Sequence, residues 1–196
     1  QAPELANQVA KLSEQLKNLP LTEKVRLLQR CIPALKELYQ QDFELFERWL
    51  QRVIQADGKV DLLEWIAASF VEHTVAAQFR QQHVIRSTSA RSLQALQPAL
   101  LPLLIALANT AAPAQQLTVW KNALAMQEFA EPRPLPATDY QTLSKATAEL
   151  MAAGPAVKEQ IWQQIQDAVT TNGNTADEQQ ALLLALSLLL EIPSQW

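Results

Sequence analysis

The chain has 196 residues, a formal charge of −4, 48% hydrophobic residues and only three glycines. That length allows a sizeable core, as one large helical domain or two small ones, and so little glycine argues against a sheet protein, whose turns need it. The acidic balance, with no lysine or arginine cluster to override it, argues against a nucleic-acid partner.

Leu, Ala and Gln abound while Val, Ile and Tyr are scarce, which predicts an all-α fold of about eight or nine helices. The single cysteine, Cys31, permits no internal disulfide and no thiolate metal site, and fits a reducing compartment. No secretory signal pattern is present. The most apolar run, Ala99 to Ala108, is ten residues long and contains Pro102, against the roughly 20 that cross a bilayer, so the segment is expected to be soluble when isolated. The opening Gln-Ala-Pro reads as the start of a piece of something longer.

In chain order, Glu4 to Asn18 carries Leu5, Val9, Leu12 and Leu16 on one helical stripe and stops before Pro20. Thr22 is an apt N-cap for the next helix, with Val25, Leu28, Ile32 and Leu35 inward. Pro33 should break that helix into two short pieces meeting near Cys31, because it has no N–H to donate.

Phe43 to Val75 reads as a helical hairpin. Its first helix buries Phe43, Phe46, Leu50, Val53 and Ile54, and its second buries Leu62, Leu63, Ile66, Phe70, Val71 and Val75, running on to about Phe79. The elbow is Asp57-Gly58-Lys59-Val60-Asp61. Gly58 suits a left-handed C′ position, and Asp61 with Glu64 makes an acidic capping box.

Arg80 to Ser92 is polar and reads as a flexible connection. Leu93 to Ala108 should be buried on several faces and kinked at Pro98 and Pro102. Pro113 reads as the first residue of a helix through Leu117, Trp120, Leu124 and Phe129. Glu131 to Pro136 must be extended, and divides the chain into an N-terminal part over 1–130, a proline-rich connector over 131–137 and a C-terminal part over 138–196, expected to form one compact domain. Thr138 with Gln141 opens the helix of Leu143, Leu150 and Met151, which Gly154-Pro155 ends. Val157, Ile161, Ile165, Ala168 and Val169 form the next stripe. Gly173 ends it, and Thr175 with Glu178 caps the last helix, Leu182 to Leu190.

Ala56-Asp57-Gly58-Lys59 and Thr171-Asn172-Gly173-Asn174 lie 115 residues apart, each followed by a capping-box start, as in a duplicated hairpin. The Ala-Asp-Gly-Lys-Val-Asp-Leu-Leu-Glu run, preceded by an aromatic-rich helix, resembles the tellurite-resistance-B-like (TerB-like) helical domain. More widely, Leu19 to Val75, including Ile32-Pro33-Ala34-Leu35-Lys36-Glu37-Leu38, resembles the region following the catalytic domain in bacterial membrane-bound zinc metallopeptidases of the CAAX-prenyl and heat-shock membrane protease clan. Ile161 to Ile192 matches their second, degenerate hairpin, with Asn172 in place of the aspartate.

That resemblance implies a non-catalytic accessory or regulatory interaction domain, C-terminal to a membrane-anchored zinc metallopeptidase of a bacterial membrane, and the lone Cys31 suggests the cytoplasmic face. Its partners would be the catalytic and membrane domains of the parent and a further protein, with zinc held in the parent's catalytic domain. The alternative is a free-standing TerB-like metal-responsive stress protein. No His-Glu-x-x-His occurs here. His73 and His83 lie ten apart and share no ligand spacing with Cys31, so no catalytic residue is nominated.

The elbow itself reads two ways. Asp57 to Glu64 coincides with positions five to twelve of an EF-hand loop, but the opening ligand would be Val53, which cannot coordinate calcium. Helix capping accounts for the same residues. Since TerB proteins are thought to bind metal through acidic side chains, the resemblance leaves Asp57, Asp61 and Glu64 as metal candidates. Trp120 and Trp162 read as core residues. Trp49 and Trp65 flank the elbow off the strict stripe and are candidates for contact with a partner.

Overall fold

The apolar helix Leu93–Thr110 is the axis against which the four helices that follow it in the chain are packed. A computed structural model describes residues 2–56, 58–80, 92–126, 134–169 and 175–192. Over these the protein is all-helical, with nine helices in the order α1 Ala2–Lys17, α2 Leu21–Lys36, α3 Gln40–Ile54, α4 from Leu62, α5 Leu93–Thr110, α6 Gln116–Met126, α7 Tyr140–Met151, α8 Pro155–Val169 and α9 Asp177–Leu189. Helix α4 is continuous but changes pitch: Leu62–Phe70 is α-helical, Val71–Ala76 is π-helical, and Ala77–Phe79 completes it. The Thr74 hydroxyl donates to the Phe70 carbonyl at 2.5 Å, beside the widened turns.

Helix α5 is long and apolar enough, by length and composition alone, to cross a bilayer. In this fold Leu96, Leu100, Leu103, Leu104 and Leu107 are instead packed against α6, α7, α8 and α9. Helix α9 is buried nearly all round, through Leu182, Leu183, Leu184, Leu186 and Leu189, and it packs on α2, α4 and α5. The Gln179 amide donates to the Leu107 carbonyl at 3.0 Å inside this contact. The Asn122 amide donates to the Ala168 carbonyl at 3.2 Å and ties α6 to α8. Such bonds satisfy polar groups that burial would otherwise leave costly.

A second, small cluster lies apart from the main core, where Phe43 of α3 meets Val71, Val75 and Ala76 of the π-helical stretch. Phe43 and Phe79 stack with ring centroids 4.2 Å apart. Arg80 closes this corner, pairing with Glu72 at 2.6 Å and with Glu47 of α3.

Several sequence expectations are corrected here. Pro33 lies inside an unbroken α2, not at a junction of two pieces. Pro98 and Pro102 lie within the single helix α5, as expected of one helix running through them. The carbonyls deprived of partners by Pro33 and Pro98 belong to Gln29 and Gln94, which are exposed, so water can replace the lost helical bonds. Pro113 opens a turn and the following helix starts only at Gln116. The N-cap of α7 is Asp139, not Thr138, and its carboxylate accepts from the Gln141 N–H at 3.0 Å and from the Thr142 hydroxyl. The N-cap of α9 is Ala176 and has no side-chain cap, so Thr175 and Glu178 form no capping box there. Phe129 and the second elbow, with Asn172 and Gly173, lie outside the described residues.

The connector keeps contact with the core. Leu135 packs against it, and the Asn109 amide donates to the Pro136 carbonyl at 2.8 Å and to the Thr138 hydroxyl at 3.2 Å. Buried residues from Val25 to Leu190 form one cluster, drawing on both sides of the connector.

Candidate functional site

The elbow between α3 and α4 is built as a turn and a cap. Helix α3 ends with Gln55 as its C-cap, and the left-handed residue is Gly58, at φ 72°, three positions further on rather than directly at C′. A β-carbon at Gly58 would meet no atom within 4 Å, so the backbone angle alone selects glycine. Asp61 is the N-cap of α4. Its carboxylate accepts from the Glu64 N–H at 2.8 Å, and the Glu64 carboxylate accepts from the Asp61 N–H at 3.0 Å. Both carboxylates thus have defined work on the backbone, and a cation gathered there would compete with these bonds. Asp57, the remaining metal candidate, lies outside the described residues, as does His83. Among the described residues no group of three His, Cys, Asp or Glu side chains is placed to hold a metal ion.

The two tryptophans flanking the elbow separate. Trp65 is 2% exposed, donates its ring N–H to the Ser144 hydroxyl at 3.0 Å, and sits beside Tyr140. It joins α4 to α7 as a core residue, which corrects the expectation that it is open to a partner. Trp49 is 56% exposed, with the Arg52 guanidinium 5.4 Å from its ring centroid. Val53, expected in the buried stripe of α3, is 61% exposed. Phe43 and Ile54 carry the burial of that helix.

Val53 faces a concave surface of the molecule. An apolar cleft of about 830 Å³ lies between α1 and a wall made by α2, α3 and α4. Val9, Leu12 and Leu16 line it from α1, and Leu28, Ile54 and Leu63 are among the residues of the wall. The three α1 side chains all remain exposed, and α1 has only sparse contact with any other helix. Its stripe therefore faces the wall across open space. The charged side chains along the cleft are Glu14, Lys17, Lys24 and Glu64, and Cys31 also lines it. A concave, mainly apolar surface with a few polar groups is suited to holding an apolar segment or small molecule. The sequence held the stripes that make the cleft. Nothing in their spacing distinguishes a stripe that closes on its neighbour from one that stays open.

His73, on the π-helical stretch, is half-buried. Burial holds its pKa below the ordinary value of 6.5, and the nearby Glu72 carboxylate offsets only part of that. Comparison of the chain with protein-family models, with curated proteins and with solved structures returns no match.

Proposed function

We propose that this chain is a non-catalytic accessory domain that captures a partner, and that it lies C-terminal to the catalytic domain of a membrane-anchored zinc metallopeptidase. The observation that supports capture is the open cleft of about 830 Å³. It leaves Val9, Leu12 and Val53 uncovered, where burying them would stabilise the fold. The tie to a peptidase rests on the resemblance of Leu19 to Val75 and of Ile161 to Ile192. On this reading zinc belongs to the parent's catalytic domain, which with its membrane domain is the first partner, at the cytoplasmic face of a bacterial membrane.

The encoding reading frame tests the assignment. A His-Glu-x-x-His helix and apolar spans on the N-terminal side of Gln1 are expected. An initiator codon close to Gln1, with neither feature before it, would overturn the assignment in favour of a free-standing TerB-like stress protein. The cleft is tested separately with a polarity-sensitive dye. Dye fluorescence on the native chain should fall when Leu12 and Val53 are both changed to Lys, and equal fluorescence would remove the cleft as a capture surface.

A further inference from the structure

We propose that the outer face of α3 is a self-association surface, on which a second copy of this chain docks its own α3 in antiparallel orientation. The proposal is independent of what the cleft holds.

Helix α3 has two faces of different fate. Phe43 and Ile54 are buried, with Phe46 and Leu50 packed against the small cluster behind them. On the exposed flank beside these, Asp42, Leu45, Trp49 and Arg52 follow one another at steps of three, four and three residues, the seam by which one helix packs along another. All four are exposed, with Leu45 at 48% and Trp49 at 56%. Arg52 is held over the Trp49 ring. Neither Asp42 nor Arg52 forms an ion pair among the described residues.

The order of these residues selects the occupant. From the N-terminus the seam reads acid, leucine, tryptophan, base. Read backwards it is base, tryptophan, leucine, acid, which is the complement of itself. Consider an antiparallel pair with its two-fold axis midway between Leu45 and Trp49. Leu45 then faces the second copy's Trp49, Asp42 faces the second copy's Arg52, and the symmetry repeats both pairs. Two apolar layers are thereby flanked by two layers of opposite charge. A parallel pair would instead set Asp42 against Asp42 and Arg52 against Arg52. A lipid surface fits less well, since Asp42 in the seam would be driven towards anionic headgroups.

So small a seam makes a transient dimer, for which sedimentation of the full chain should span about 1 µM to about 1 mM. A reversible monomer–dimer equilibrium is expected. Asp42→Arg or Arg52→Asp alone places like charges opposite one another twice per dimer, and should weaken association by about tenfold or more. An equal mixture of the two variants should recover it. In the mixed pair the two substituted positions face each other with opposite signs, and the native Arg52 of one copy faces the native Asp42 of the other. Trp49→Ala should also weaken association, and mixing should not rescue it. Unchanged far-ultraviolet circular dichroism would show that each variant is folded.

A chain that stays monomeric throughout overturns the proposal. So does a dimer indifferent to both charge changes, or a mixture that fails to recover. Binding of a monomeric chain to anionic vesicles, lost in Trp49→Ala, would assign the face to lipid and also overturn it.

Discussion

Asp177, in the first turn of α9, caps a helix that begins at Leu21. Its carboxylate accepts from the Thr22 N–H at 3.2 Å, from the Thr22 hydroxyl at 2.7 Å and from the Leu21 N–H. The N-cap of α2 is Pro20, whose side chain supplies no acceptor, so a residue from the far end of the chain satisfies those donors. Asp177→Ala should therefore destabilise the protein by about 1 kcal/mol, towards about 2 if the second helix end loosens with it. Urea melts give the test, and a double-mutant cycle with Thr22→Ala should show coupling. Strict additivity would mean that the Thr22 hydroxyl bond carries no energy and that the cap rests on the two backbone N–H groups.

The elbow should rank its substitutions by mechanism. Gly58→Val forces a branched side chain to φ 72°, at a position where the β-carbon itself has open space. That should cost about 1–2 kcal/mol or somewhat more. Asp61→Ala removes the carboxylate that caps α4 and should cost about 1 kcal/mol. Neither loss should depend on calcium or zinc. A melting temperature that rises with either metal in the native chain, but not in Asp61→Ala, would show that the carboxylates bind a cation rather than the backbone alone.

Stability should fall with acid in two separate windows. His73 has its pKa lowered by burial, so the unfolded chain takes up the proton first as pH falls. Its effect is absent above about pH 6.5 and grows below it, destabilising the fold until the folded-state pKa is passed. For Asp177, burial acts to raise the pKa, but the bonds from Thr22 and Leu21 prevail and hold it below 3.8. Its stabilising contribution is present above that value and lost as pH falls through the folded-state pKa. Denaturation midpoints measured from about pH 7.5 to about pH 2.5 should lose the first window in His73→Gln and show a smaller second one in Asp177→Asn. Identical profiles for all three proteins would contradict both assignments.

Lys158 should tolerate loss of its charge better than loss of its partner. Its side chain is largely buried on α8, and its ammonium meets the Glu191 carboxylate at 3.3 Å, just beyond the end of α9. Glu191→Ala would leave that ammonium short of an acceptor and, with the carboxylate 65% exposed, should cost about 1 kcal/mol. Lys158→Met keeps the packed stem and removes the charge, and should cost less than about 1 kcal/mol. Thermal melts that reverse this order would show that the pair itself stabilises the fold.

Local chemistry was readable without coordinates wherever it depends on residues within a turn or two. The three- and four-residue spacing of apolar side chains placed the helices, and the Asp61–Glu64 box and the left-handed Gly58 followed from neighbours alone. Local reading failed where two local solutions compete, as at Thr138 and Asp139. It also failed where solvent decides whether a proline is tolerated, as at Pro33. What only tertiary structure decided is which apolar stripe finds a cover. Val53 reads as a stripe residue and Trp65 as one off the stripe, yet Trp65 is enclosed against α7 and Val53 faces an open cleft. Asp177 could not be matched to Leu21 by any spacing rule, because the bond exists only once α9 has packed against α2. Periodicity names the face a helix would bury. The partner that buries it comes from distant chain, and only the competition among all such faces settles where the surface stays open.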